Sequence, residues 1–118
     1  MATKSIASRV SIATQTWLVA WNACANGDTG TPYELNDEAD NCFSVDGTFG
    51  VGGSVTLEGS NDGSHYYTLH DPQGNNLTFT AAGMKQILET PRYVRPHVTA
   101  GDGTTSLTPI LRTRRGSR

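Results

Sequence analysis

Between Val55 and Leu69 the chain runs Val-Thr-Leu-Glu-Gly-Ser-Asn-Asp-Gly-Ser-His-Tyr-Tyr-Thr-Leu, two strand-like runs separated by Asn61-Asp62-Gly63. Such a turn needs positive φ, which Gly, Asn and Asp adopt at low cost. The segment therefore predicts an antiparallel hairpin and sets the class of the chain as β. Further short runs support that class. Ile6 to Ile12 places Ile6, Ser8, Val10 and Ile12 on one parity. Thr16 to Cys24 is apolar on both parities, which suits a central strand or one covered by a partner subunit. Tyr33–Leu35, Asn41–Val45, Leu77–Thr80, Arg92–Thr99 and Leu107–Arg112 are strand-like as well. Pro96 predicts an edge or a bulge for its strand. Ala81 to Glu89 reads either as one short helix or as a strand from Gln86. Asp71-Pro72-Gln73-Gly74, Gly101-Asp102-Gly103 and the glycine-rich Gly47–Gly53 are turns.

The expected fold is all-β, a single antiparallel β-sandwich or barrel of seven to nine short strands with at most one short helix. At 118 residues, one domain spanning 1–118 is expected, with a short N-terminal arm and a basic C-terminal tail. No apolar run reaches the ~20 residues of a membrane helix. The N-terminus lacks the apolar core of a signal peptide, so folding in the cytoplasm is the expectation.

Charge is segregated along the chain. No Lys or Arg occurs between Val10 and Met84, while nine Asp or Glu residues do. All nine basic residues lie in the first nine positions or from Lys85 onward. If both termini leave on one side, the molecule has a basic and an acidic end; otherwise the strands bring the two sets together as surface pairs.

Catalytic patterns are missing. No Gly-x-Ser-x-Gly elbow is present, and the glycine run at 47–53 lacks the Lys-Ser/Thr of a phosphate loop. His65, His70 and His97 offer no third ligand at metal-binding spacing. Cys24 and Cys42 are two buried thiols or one bridge between adjacent strands. Asp37, Glu38 and Asp40 form an acidic loop, solvated or able to take Ca²⁺. No enzyme activity, cofactor, membrane or specific nucleic-acid partner is expected.

Two segments add a resemblance. Gly59-Ser60-Asn61-Asp62-Gly63-Ser64-His65-Tyr66 is similar to the Ser-Asn-Asp-Gly-x-x-aromatic segment of discoidin-like (galactose-binding-like) domains, and Arg92-Tyr93-Val94-Arg95 resembles a later strand of the same family. The resemblance implies a jelly-roll sandwich. Tyr66 stands where a Trp is common, and no ligand-binding residue carries over. From Asp40 to Arg115 the order of segments also resembles small virion proteins of tailed bacteriophages: a Val-x-Gly-Thr-Phe-Gly turn, the Asn-Asp-Gly hairpin, Asp-Pro-x-Gly, Leu-Thr-Phe-Thr-Ala-Ala-Gly, Arg-Tyr-Val-Arg-Pro and Gly-Asp-Gly-Thr-Thr-Ser-Leu-Thr. This implies a capsid decoration, or cement, subunit on the virion surface, bound to the major capsid protein and to itself as a dimer or trimer. Lys4, Arg9, Arg112, Arg114 and Arg115 are then the expected polar clamp, and Trp17 and Trp21 the apolar anchors, in the core or between subunits. The alternative is a carbohydrate-binding adhesion module on a tail or fibre, with Ca²⁺ at Asp37, Glu38 and Asp40.

Overall fold

The structure, a computed structural model, describes residues 2–35 and 38–115. Among the described residues there are twelve strands and no helix: β1 (Thr3–Lys4), β2 (Ile6–Ala13), β3 (Thr16–Trp21), β4 (Thr29–Gly30), β5 (Tyr33–Glu34), β6 (Glu38–Thr48), β7 (Ser54–Ser60), β8 (Tyr67–Thr68), β9 (Thr78–Phe79), β10 (Gly83–Gln86), β11 (Tyr93–Ala100) and β12 (Ser106–Arg115). The count exceeds the expected seven to nine because β1, β4, β5, β8 and β9 are two-residue pieces that flank longer strands. The ambiguous segment Ala81–Glu89 matches neither expectation: it holds no helix, and its strand, β10, ends at Gln86 instead of starting there, paired with β6 from Gly83↔Val45 to Gln86↔Cys42.

The strands form two sheets. One follows the order β1-β4-β11-β7-β8, with β5 also on β11 and β9 also on β7. The other has five strands in the order β10-β6-β12-β3-β2. Every pairing is antiparallel except β1 with β4. The expected sandwich is therefore present.

Alternation builds the core. In β12, Leu107, Pro109, Leu111 and Thr113 are buried while Ser106 and Arg112 are exposed. In β6, Asn41, Phe43 and Val45 point the same way, and in β3, Val19 and Trp21. From the other sheet come Val55, Leu57, Val94 and Val98. Phe43 and Phe79, one from each sheet, meet edge to face with ring centres 5.7 Å apart, the arrangement aromatic quadrupoles favour. Gly30 permits a close approach: a Cβ there would lie 2.6 Å from Pro96 Cδ and 2.8 Å from Trp21 Cδ1. The Trp21 indole fills that space, and its Nε1 donates to the Thr31 carbonyl at 3.0 Å.

Of the edge or bulge expected at Pro96, β11 has the bulge, between Val98 and Ala100, but is not an edge. The strand is central, between β7 on one side and β4 and β5 on the other. On that second side β5 pairs with Tyr93 and Val94 and β4 with His97, so Pro96 occupies the gap between two short partners, where no ladder donor is needed. Pro109 in β12 uses the same device: the β3 ladder begins at Ile110↔Ala20, one residue later.

The Asn61-Asp62-Gly63 hairpin is present but short, with pairs Glu58↔Thr68 and Gly59↔Tyr67. Gly63 takes φ 81°. Asp62 organises the turn by accepting from Ser64 N at 2.8 Å and His65 N at 2.9 Å.

Candidate assembly surface

Directly opposed residues of an antiparallel ladder face the same side. The registers therefore define the outer face of the five-stranded sheet. One row across it is Met84, Ser44, Ile110, Ala20 and Ser8. The next is Gln86, Cys42, Arg112, Leu18 and Val10. A third brings Asp40 beside Arg114 and Thr16. Among the described residues, no strand or loop pairs with β2 on its far side. Met84 is 69% exposed and Val10 51%, and Leu18, Ile110 and Cys42 are half-buried.

Arg112 stands in the middle of this apolar field, exposed, with no hydrogen bond or ion pair among the described residues. Its opposed neighbours are Cys42 and Leu18. Burial pushes the Cys42 thiol up, and the Arg112 charge works against that rise. The flanking charges are already occupied. Arg114 Nη2 lies 2.6 Å from Asp40 Oδ2.

The other expected clamp and anchor residues fall elsewhere. Lys4 Nζ is 3.8 Å from the buried Asp28 carboxylate, in the opposite sheet. Arg9 pairs with Val19 in the ladder, on the opposite side of the sheet from Arg112, yet is itself exposed. Its guanidinium carbon lies 4.8 Å from the Trp17 ring centre, and its Nε donates to Tyr33 Oη at 3.0 Å. Arg9 and Trp17 thus satisfy each other. Trp21 has no exposed surface, which leaves it a core residue with nothing to offer a partner. Arg112, Arg114 and Arg115 belong to β12 rather than to a tail, because the residues of β6 and β3 opposite them extend the ladder to Arg115↔Glu38. The basic and acidic sets do not form two poles. Lys4–Asp28, Lys85–Asp71, Arg92–Glu34, Arg95–Glu58 and Arg114–Asp40 interleave them as pairs.

The acidic segment is not a loop at its described positions. Glu38 and Asp40 lie in β6, Glu38 accepting from Tyr33 Oη at 3.3 Å; Asp37 lies outside the described residues. Among the described residues, no three His, Cys, Asp or Glu side chains converge as metal ligands. Cys24 and Cys42 are both free thiols.

The seven-stranded sheet carries a separate feature at its β8 edge. A groove of about 490 Å³ runs between the turn that precedes β8 and the segment Glu89–Pro91. His65 Nδ1 lies 2.7 Å from Asp62 Oδ2, and His70 Nδ1 lies 2.6 Å from Glu89 Oε2. The hydrogen bonds from Ser64, His65 and Ser60 hold the Asp62 carboxyl well below the usual range. Burial pushes the Glu89 carboxyl up, but its bonds to His70 outweigh that and lower it. The sequence marks His65 and His70 as neighbours; it carries no signal that Glu89 joins them.

No protein-family model and no curated protein sequence matches the chain. Among solved structures, the SPBc2 prophage-derived protein YomS superposes with a TM-score of 0.63 at 7% identity, over 88% of this chain and 98% of that one. KdgF from Halomonas sp. gives a TM-score of 0.47 at 16% identity, over 93% of this chain and 78% of that one. The chain thus shares its all-β fold, nearly end to end, with a prophage-derived protein.

Proposed function

We propose that this chain is a structural virion protein of a tailed bacteriophage, and that it decorates the head by binding the major capsid protein lattice. The observation that carries the reading is Arg112, an exposed, unpaired cation set among Leu18, Cys42, Ile110 and Val10 on an uncovered sheet face. A central Arg in an apolar surround is the anatomy of an interface hot spot. Its complement is a carboxylate on a flat, partly apolar surface. The fold shared with a prophage-derived protein supports the same reading, as does the order of segments from Asp40 to Arg115.

Each copy would bury a modest area. A dimer or trimer on a symmetric lattice multiplies such contacts into stable attachment without any single strong one. No cofactor is required.

The test uses capsids of a phage encoding this chain, prepared without it. The purified protein should co-sediment with them in fixed stoichiometry and be released as salt rises, since rim and central charges are screened. Arg112→Glu should abolish binding while the variant keeps its circular dichroism spectrum. Binding that Arg112→Glu leaves intact would remove this face from the mechanism, and no binding at all would remove the decoration role.

A further inference from the structure

We propose that two copies of this chain join edge to edge along β10, antiparallel, about a two-fold axis at Met84. The contact involves neither Arg112 nor a capsid, so it stands or falls apart from the decoration role.

Strand β10 is one edge of the five-stranded sheet, and among the described residues nothing pairs with its far side. Residues of an antiparallel strand alternate, turning N–H and C=O toward the partner or away from it. Ile87 N donates to Asn41 O at 3.1 Å, in the register that runs unbroken from Gly83↔Val45 to Gln86↔Cys42. Gly83, Lys85 and Ile87 therefore face β6. Met84 and Gln86 turn their backbone groups outward, where none of the described residues meets them. Such a row is a template for a further strand. The opposite edge, β2, shifts register twice against β3; β10 has neither a shift nor a proline.

The side chains suit a covered edge. Met84 is 69% exposed and Leu88, four positions on, 56%. Charge commonly guards an open edge, and here it is turned away. Lys85 is the one charged residue of β10. It opposes Phe43, on the inward parity, and its Nζ lies 3.7 Å from Asp71 Oδ2 and 5.7 Å from the Phe79 ring centre.

A second copy fits because the edge is complementary to itself, and elimination sets the register. An axis at Lys85 would place like charges directly opposite, which is unfavourable. An axis at Gln86 would pair Met84 with Leu88, whose N already donates to His70 O at 2.8 Å. An axis at Met84 sets Met84 against its own copy, Gln86 against Ala82 and Lys85 against Gly83. Both outward-facing residues of β10 then gain partners, and the two exposed thioethers cover each other. The contact is isologous, so assembly through it closes at two copies. Directly opposed residues face one side of a sheet, so both outer faces, each with its Arg112, would point the same way.

The experiment uses the full chain alone. A ladder this short is weak, so amide NMR and sedimentation are followed up to about 1 mM protein. The mass should rise toward that of a dimer, and signals from Ala82 to Gln86 should shift while those of β2 stay in place. Met84→Lys, which puts like charges at the axis, should remain monomeric over the same range. Met84→Cys should form a disulfide-linked dimer on mild oxidation, since Cα atoms of such a pair lie about 5.5 Å apart, within disulfide reach. Val51→Cys, at a position 82% exposed on a distant turn, sets the rate of chance collision. Met84→Cys should cross-link at least about tenfold faster than that, through the raised local concentration of its partner. Met84 is exposed, and unchanged β3 and β12 signals would verify that its variants fold. The proposal is overturned if the chain stays monomeric, if the shifts map to another surface, if Met84→Lys associates like the parent, or if the two cysteine variants cross-link at equal rates.

Discussion

The Arg95 guanidinium carbon lies 3.6 Å from the centre of the Tyr66 ring. This contact ties the end of the Asn-Asp-Gly turn to the middle of β11. Arg95 also donates to Glu58 Oε1 at 3.0 Å, and Glu58 takes His97 Nδ1 at 3.1 Å on its other oxygen. Arg95→Ala should cost about 1–3 kcal/mol in urea unfolding, since it removes a partly buried cation–π contact and leaves Glu58 with one partner. Arg95→Lys keeps the charge but not the stacked plane, and should fall between the two.

Gly30→Ala should destabilise by about 1–3 kcal/mol, the range for forcing extra volume into a packed core. The neighbours it would strike, Pro96 and the Trp21 ring, are rigid. Tryptophan emission should report the change directly: a red shift of the native spectrum would mark displacement of the Trp21 indole from its site.

The two thiols should differ in reactivity with an aromatic disulfide reagent. Burial pushes Cys24 up to about 11, with Asp28 adding to the rise. Cys42 is only half-buried and faces Arg112. Cys42 should therefore react first and Cys24 only on unfolding, because the thiolate is the reactive form. Attachment to a capsid through the outer face should protect Cys42; labelling at an unchanged rate would argue for a different face.

Asp102 gives a pH prediction with a definite sign. Its carboxylate accepts from Thr104 Oγ1, Thr104 N and Val51 N, and its pKa falls from 3.8 to about 2. The folded state then binds the proton less readily than the unfolded state, so the contribution is full above the unfolded value and is lost as pH falls from about 4 to 2. Asp102→Ala should lower the urea midpoint at pH 7. The gap from the parent should narrow toward pH 2, and a gap of constant size would refute the assignment.

The sequence reveals elements better than it reveals their lengths and neighbours. The hairpin at Asn61-Asp62-Gly63 is legible because positive φ is written in residue type. The hairpin between β2 and β3 is not announced this way: its turn uses Gln15 at φ 56°, a residue without turn preference. Pro96 signals the bulge that β11 does carry between Val98 and Ala100, but local rules see only a missing donor and not two short partner strands with a gap between them, so the edge it also suggests is not there. The clamp residues were legible as charges, not as pairs. Only register distinguishes Arg112, opposite Cys42 and Leu18, from Arg114, opposite Asp40. Glu89 joins His70 across nineteen positions of chain, a distance no local pattern spans.

Strand β2 leaves one edge of the five-stranded sheet open, yet its ladder with β3 is interrupted twice, between Ile6 and Ser8 and between Ser11 and Ala13. An uninterrupted edge of this length is a template on which a second chain can zip. Here the regular stretch is only Ser8 to Ser11, with Arg9 inside it. Molecules crowded side by side on a repeating surface would meet edge to edge at very high local concentration. On the proposed lattice the two kinks would keep such edges from zipping, so that neighbours could be dense without fusing into a fibre.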